Sequence, residues 1–545
     1  MRLLMRFALS IAASLALASL LSAQDPKAPA PRRALFVHVG GYLYMNPLTS
    51  TSPTGADRVR GAADRFATGF RIPTAKDNDQ LFILADTLPT DSRLPTKDTL
   101  AKAIDGFCTT TREQDRVVLY FGMHAVEKDG KAYLVPIDGD PDAPDTLFPL
   151  ADVYAKLKDL KAAQKIVIWD VCRHNPERIR TRRDAGPMSE ALFKALTNPP
   201  EGVEVIVTCS PGERALEYSM PRGPTGMFAG SAYLDALRHA TADLPAKVAP
   251  GDPIVIAELH KTAAKSVAAL SKQTPALAGT APKQPAAYDA KTTPAKRFEW
   301  AVLPKDADVK SILDELTLPP LLDDDTGPVA RLPFLEDALK NYASDVSPDE
   351  ILKNMEKYPL RVATLRAIQT VRDVWPLGAK EPKEAKGLPV LLAPVTERAK
   401  KGYSDAQQPL ALALVKLELE LETLESAAPH RAKETKRWQA HYDYTVSEMR
   451  LRLVVLNEYN LLLARVRTET LPELPADSPG WRLAPTENLM SRRDVKEQLA
   501  SAQEGFAKVA ADYKGTPWEV LAKRERALVP GLRWEPITAP KPDAK

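Results

Sequence analysis

Five short runs, Ala34–Val39, Gln80–Ala85, Arg116–Phe121, Lys165–Trp169 and Val203–Thr208, are rich in apolar and β-branched residues. They are apolar in blocks rather than at alternate positions, so each is expected to be buried on both faces. That is the environment of a strand inside a parallel sheet. Helix-like stretches separate them: Thr54–Phe70, Thr96–Phe107, Leu150–Leu160 and Met188–Leu196. Parallel neighbours need crossovers, and the βαβα order supplies them, so the expectation is an α/β fold: an open, mostly parallel sheet flanked by helices. Asp129-Gly130, inside Val126–Val135, predicts a type I′ hairpin. Two more helices are expected near Met227–His239 and Pro253–Ser271. A loose extended stretch, Gln273–Lys296, and a last strand at Phe298–Leu303 follow.

A chain of 545 residues exceeds what one hydrophobic core serves. The α/β domain is placed at residues 34–304 and an acidic, proline-bearing linker at 305–328. Residues 329–545 are read as an all-α domain, with repeat-like hairpins as one reading of it. Leu410, Leu414, Leu417, Leu421 and Leu424 fall at spacings of four and three, on one helix face. Tyr442, Val446, Met449, Leu453, Leu456, Asn460 and Leu463 repeat the pattern, so the two helices are expected to pair. A third stretch, Val495–Leu521, is broken at Lys514-Gly515 and restarts after Thr516-Pro517.

The N-terminus reads as a secretory signal over residues 1–23: Arg2 and Arg6, an apolar run from Phe7 to Leu21, then Ser22-Ala23. An uncleaved anchor is the alternative. Residues 24–33 form a Pro/Ala/Lys tether, and the protein is expected in the periplasm or outside the cell. No membrane insertion is expected after signal cleavage. A net charge of +3 is near balance and argues against nucleic-acid binding, which needs concentrated basic surface. The three cysteines, Cys108, Cys172 and Cys209, cannot all pair. Cys108 and Cys209 are assigned to the core, and the histidines other than His124 to structural or solvent-exposed places.

Two stretches carry chemistry. Ile166-Val167-Ile168-Trp169 delivers Asp170-Val171-Cys172 to the C-terminal edge of the sheet, where open α/β folds build their sites. Val117–Phe121 does the same for Gly122-Met123-His124-Ala125. A thiol and an imidazole at such places suit nucleophilic catalysis, the thiolate attacking and the imidazole moving the proton. His124 precedes Cys172 by 48 residues, against roughly 50 in caspases.

These motifs resemble those of the caspase and metacaspase superfamily, which shows strand–Ser-Gly-His-Gly and strand–Asp-x-Cys. The resemblance covers Arg33 to Leu303, and the run from Asp170 to Pro176 is like that of bacterial caspase-like proteins. It implies a cysteine endopeptidase acting on protein or peptide substrates, with His124 and Cys172 as the dyad. The backbone N–H groups of Cys172 and Ala125 would stabilise the oxyanion. Met123 and Ala125 depart from the family pattern, and a catalytically inactive caspase-fold binding or scaffold protein is the alternative. The helical half would contact substrate or a protein partner.

By the same resemblance Asp170 would line the primary pocket, as in metacaspases, and Glu213 and Glu217 lie where further pocket residues fall. A carboxylate there selects Arg or Lys before the cut. No cofactor or metal is expected: the chain has neither His-Glu-x-x-His nor Cys-x-x-Cys. Calcium dependence, common in metacaspases, would fall on the acidic run Asp138–Asp145, which otherwise reads as a solvated loop. The basic stretch Glu177–Pro187 is expected as an irregular loop open to self-cleavage after Arg180, Arg182 or Arg183.

Overall fold

A computed structural model describes residues 32–48, 55–86, 94–175, 181–222, 228–242, 252–271, 273–283, 285–287, 289, 295–297, 309–321, 327–377 and 390–537. The signal and most of the tether, Arg180 and the last strand expected at Phe298–Leu303 lie outside the described residues.

The α/β half runs β1 (Arg32–His38), α1 (Gly55–Phe70), β2 (Leu81–Ala85), α2 (Lys97–Thr109), β3 (Arg116–Gly122), the hairpin β4 (Ala125–Lys128) and β5 (Lys131–Leu134), α3 (Leu150–Asp159) and β6 (Gln164–Asp170). It continues through β7 (Arg173–His174), β8 (Thr181–Arg182), α4 (Glu190–Leu196), β9 (Glu204–Val207), β10 (Ala215–Arg222), α5 (Ala232–Ala242), α6 (Ile256–Leu270) and β11 (Ala276–Gly279). The central sheet has the order β11-β9-β6-β3-β1-β2. All neighbours are parallel except β11, which pairs antiparallel with β9.

The block-apolar strands are buried as expected, because helices cover both faces. Phe66 and Phe70 of α1, Tyr233 and Leu237 of α5 and Leu259 of α6 pack on one side, with Tyr120, Ile166 and Ile168. Leu100 and Phe107 of α2, Val153 and Leu157 of α3 and Leu192 of α4 pack on the other, with Leu119, Val167 and Trp169. Asp129 and Gly130 both take positive φ, 50° and 73°, which gives the expected tight hairpin.

Three expectations are corrected. β1 begins inside the stretch read as tether, because the buried Arg33 guanidinium finds Thr110, Thr111 and Asp115. The stretch read as loose after Gln273 supplies β11, an edge strand that pairs with β9 as far as Gly279. The helix expected from Met227 starts only at Ala232.

The stretch read as a linker carries α7 (Lys310–Leu316), whose Ile312 and Leu316 are buried. The second half is helical: α8 (Pro359–Val374), α9 (Glu397–Ser426), α10 (Lys436–Arg467), α11 (Arg493–Asp512) and α12 (Pro517–Arg526). All five leucines of the first seam are buried on α9, which packs against α10. The break between α11 and α12 falls where Gly515, Thr516 and Pro517 stand; Gly515 takes φ +77° and Pro517 opens the next helix.

This half is not all-α. β12 (Val390–Leu392), β13 (Gly480–Thr486) and β15 (Gly531–Pro536) form a small antiparallel sheet, and β14 (Leu528–Val529) follows α12. These strands are short and separated by whole helices, so no local period announces them.

β14 does not join that sheet. It pairs antiparallel with β8 of the α/β half, Thr181 opposite Val529 and Arg182 opposite Leu528. One apolar cluster also runs through both halves.

β6, which leads to Cys172, is anchored by Trp169. Its ring is fully buried and stacks on Phe121 at 4.7 Å, and its Nε1 donates to Tyr154 Oη at 3.2 Å. Trp169→Ala is expected to cost about 3–5 kcal/mol, through lost burial and the cavity left behind. A urea titration followed by circular dichroism checks it, and an unchanged midpoint would contradict this packing.

Candidate functional site

The parallel pairing of β3 and β6 builds the site. Gly122 stands opposite Asp170 in the register, and the Met123 N–H donates to the Asp170 carbonyl at 3.2 Å. His124 and Cys172 are therefore equivalent positions, each two residues past a paired strand end, on adjacent strands. Met123, one of the departures from the family pattern, sends its side chain into the core, where it is fully buried. Ala125 opens β4 and is also buried.

A loop after β1 holds the imidazole. Asp86, at the end of β2, accepts from the N–H groups of Gly40 and Gly41, both at 2.7 Å. The Gly pair is thus a turn clamped by a buried carboxylate. Leu48 N–H closes the loop onto the Gly40 carbonyl at 2.8 Å. Two residues of this loop meet His124. Tyr42 Oη accepts from the His124 N–H at 2.6 Å, with the rings 4.6 Å apart. The Asn46 carbonyl lies 2.8 Å from His124 Nε2. A carbonyl only accepts, so Nε2 carries a hydrogen, and Nδ1 is the lone-pair nitrogen of the neutral ring. That nitrogen is the one able to take a proton. Sequence reasoning missed both Tyr42 and Asn46; neither stands in a motif, and only the loop's closure brings them to the ring.

Cys172 has φ +55°, a left-handed conformation costly for a residue with a Cβ. Its carbonyl accepts from the Ala215 N–H at 3.1 Å, which ties the turn to β10. Cys209 is buried as expected, but it also touches this turn. Its thiol lies 3.9 Å from the Val171 carbonyl. It is held well above the ordinary thiol range, first by a hydrogen bond to Cys172 and then by burial. Cys209 therefore keeps its proton beside Cys172.

The carboxylates expected around a primary pocket separate into different tasks. Asp170 is fully buried and its Oδ2 accepts from Tyr120 Oη at 2.6 Å. Glu217 pairs with Arg173 at 2.7 Å, both essentially inaccessible. Burial disfavours the Arg173 charge, but Glu217 and Asp170 outweigh it and hold the guanidinium above its ordinary range. His38, 3.3 Å from Arg173, is pushed well below the ordinary histidine range by burial and by that charge. Glu213 lies outside this cluster. It accepts from the N–H groups of Ser210 and Thr274 at 2.9 and 2.7 Å and from the Thr274 hydroxyl at 2.7 Å, fastening the turn after β9.

The acidic run does not gather into a cation cage. Asp138 accepts from the N–H of Lys97 at the start of α2, and burial raises its carboxyl to about 6. Asp140 turns back on the Asp142 N–H, and Asp142 pairs with Arg183. Among the described residues no three His, Cys, Asp or Glu side chains converge as metal ligands. The run does not fit a calcium ion.

The described part of the basic stretch after Cys172 differs from the irregular loop expected. Thr181 and Arg182 form β8 and are buried, with Arg182 Nε donating to the Arg524 carbonyl at 3.2 Å. Of the expected cleavage positions among the described residues, Arg182 is inaccessible, whereas the Arg183 side chain is half-exposed and paired with Asp142.

The fold is an α/β domain with an open, mostly parallel sheet that sets a thiol and an imidazole just past adjacent strand ends. Residues 61–286 match the family model of the caspase domain. The α/β half is thus a domain of the caspase/metacaspase-like cysteine peptidase superfamily, followed by a helical region. No curated protein matches the chain. No helix among the described residues is long and apolar enough to cross a membrane.

The Arg173–Glu217 pair generates a stability test. Glu217→Gln removes the carboxylate paired with a buried guanidinium and is expected to cost about 3–5 kcal/mol. The double variant Arg173→Met, Glu217→Leu should recover most of the loss. Denaturant midpoints of the three proteins decide it; a Glu217→Gln midpoint equal to wild type refutes the assignment.

Proposed function

We propose that this protein is an exported cysteine endopeptidase in which His124 activates Cys172 and which cuts after Arg or Lys. The observation that carries the reading is the His124 geometry. Asn46 fixes the tautomer that leaves Nδ1 basic, on the strand end next to the one that bears the thiol. In this reading Nδ1 takes the Cys172 proton, and the thiolate attacks the scissile carbonyl. The imidazolium then protonates the leaving amine, and water releases the acyl group by the reverse proton path. The N–H groups of Cys172 and Ala125 are the proposed oxyanion donors.

The preference for a basic residue rests on Asp170. Asp170 ends the strand beside Cys172, where the guanidinium or ammonium of a substrate would find a carboxylate partner. Glu217 and Glu213 serve this site indirectly, by holding Arg173 and the turn after β9. Residues 1–23 are proposed as the signal that delivers the protein to the periplasm or the exterior.

A second reading has one observation in its favour. His124 and Cys172 are 0% and 1% exposed, so a peptide does not reach them in this conformation. A caspase-fold binding or scaffold protein would keep such a closed site permanently; an enzyme must open it.

Cys172→Ala and His124→Ala are each expected to lower kcat/KM by about a thousandfold or more, without additivity in the double variant. Fluorogenic peptides ending in Arg, Lys or Asp test the preference, and Asp170→Asn should abolish selection for Arg. Preference for Asp would refute the pocket assignment. If a basic peptidyl ketone leaves Cys172 unmodified in the folded protein, the binding-protein reading replaces the enzyme.

A further inference from the structure

A chain of contacts leads from the helical half through β8 and Asn46 to His124. β14 follows α12 directly, and its ladder with β8 sets Arg182 opposite Leu528. The Arg183 N–H donates to the Ala527 carbonyl at 3.0 Å and extends that ladder. On their other side the same two residues grip Asn46. The Arg182 N–H donates to Asn46 Oδ1 at 2.7 Å, and the Asn46 N–H donates to the Arg183 carbonyl at 3.0 Å. Asn46 in turn presents its carbonyl to His124 Nε2 at 2.8 Å.

From this chain of contacts we infer that Asn46 and the β14–β8 ladder are positioning elements for His124, so that the helical half completes the peptidase site. The inference rests on the His124–Cys172 reading above. Asn46 sits on a loop outside the central sheet, so the sheet alone does not fix its carbonyl. Its side-chain oxygen and backbone N–H are both spent on Arg182 and Arg183. These are the end of β8, Thr181–Arg182, and the residue after it; a two-residue strand is too short to hold its own place without a partner. The partner strand supplied by the helical half gives β8 that support. Further bonds lock the same junction: Arg182 Nε to the Arg524 carbonyl at 3.2 Å, and the packing of buried Leu528. A general base must lie within hydrogen-bond reach of the proton it moves. A misplacement of about 1 Å by a remote change costs roughly a hundredfold in rate.

The ladder can be weakened far from the chemistry. Val529→Pro removes a backbone donor from β14 at a residue that is only partly buried. Asn46→Ala removes the acceptor for Arg182, whereas Asn46→Asp retains it. In full-length protein, Val529→Pro and Asn46→Ala are each expected to lower kcat about tenfold or more with KM within about twofold. Asn46→Asp should recover most of the rate, and the Ala–Pro double variant should lose no more than the worse single. A second readout is independent of turnover: the ring nitrogen shifts of His124 in histidine-labelled protein, assigned with His124→Gln. They should move in Val529→Pro while the melting temperature of the full-length protein is kept. Unchanged kcat and unchanged shifts in Val529→Pro overturn the inference. So does a gain in rate, which would make the ladder a restraint. If the shifts move in Val529→Pro and the wild type has no peptidase activity, the linkage stands and the proposed function falls instead.

Discussion

The pairing of β3 with β6 is the constraint on which the site depends. Parallel strands keep equal residues side by side along their whole length. The single match of Gly122 with Asp170 therefore brings two segments, 48 residues apart in sequence, off the sheet together. The same pairing aligns Phe121 with Trp169 and Tyr120 with Ile168, both in buried layers. Slipping the register by one residue would turn every one of these side chains to the opposite face. Core packing on both faces thus fixes the place of His124 relative to Cys172 more firmly than any contact between the two residues could.

Around that edge the protein buries an unusual amount of polarity. Asp170, Arg173, Glu217, His38, Tyr42 and Tyr120 are each under a tenth exposed. Removing such groups from water is costly, and the cost is offset only where partners are supplied. Here the partners come from five separate places: the end of β1, the loop after it, β3, β6 with the turn that follows, and β10. The cluster therefore stands only when the whole edge is assembled. The left-handed backbone at Cys172 has the same character, since its carbonyl is held by Ala215 on β10. A strained turn beside a buried ionic cluster is a rigid arrangement, consistent with the closed site.

The two halves are joined differently from domains on a linker. Helix α7 occupies the stretch where a linker was expected. Its Glu315 accepts from His441 Nε2 at 2.7 Å and pairs with Arg437 on α10 at 2.8 Å. Trp518 Nε1, which can only donate, points at His441 Nδ1 at 3.3 Å, so that ring is held as a neutral bridge between α7, α10 and α12. Helix α12 leads straight into β14, and β14 pairs with the segment that follows Cys172. Burial of the helical half and order at β8 are consequences of one assembly.

The sequence by itself determined the five parallel strands of the central sheet, most of its helices, the Asp129-Gly130 hairpin and the helical seams, because each is written in local periodicity or in a turn residue's φ. It also determined that a thiol and an imidazole end strands, since two apolar runs stop just before them. It did not reveal Tyr42 and Asn46, which have no period and reach His124 only when a loop closes through Asp86. It did not separate Asp170, bonded to Tyr120, from Glu217, paired with Arg173, or from Glu213, spent on Thr274. A carboxylate's partner depends on which strands become neighbours. Nor did it show that Thr181–Arg182 is a strand, because two residues carry no pattern and their partner lies more than 300 residues further along. Local chemistry sets what a segment can become. Long-range pairing decides which of its polar groups remain free to act, because every buried donor and acceptor must find a partner across the fold.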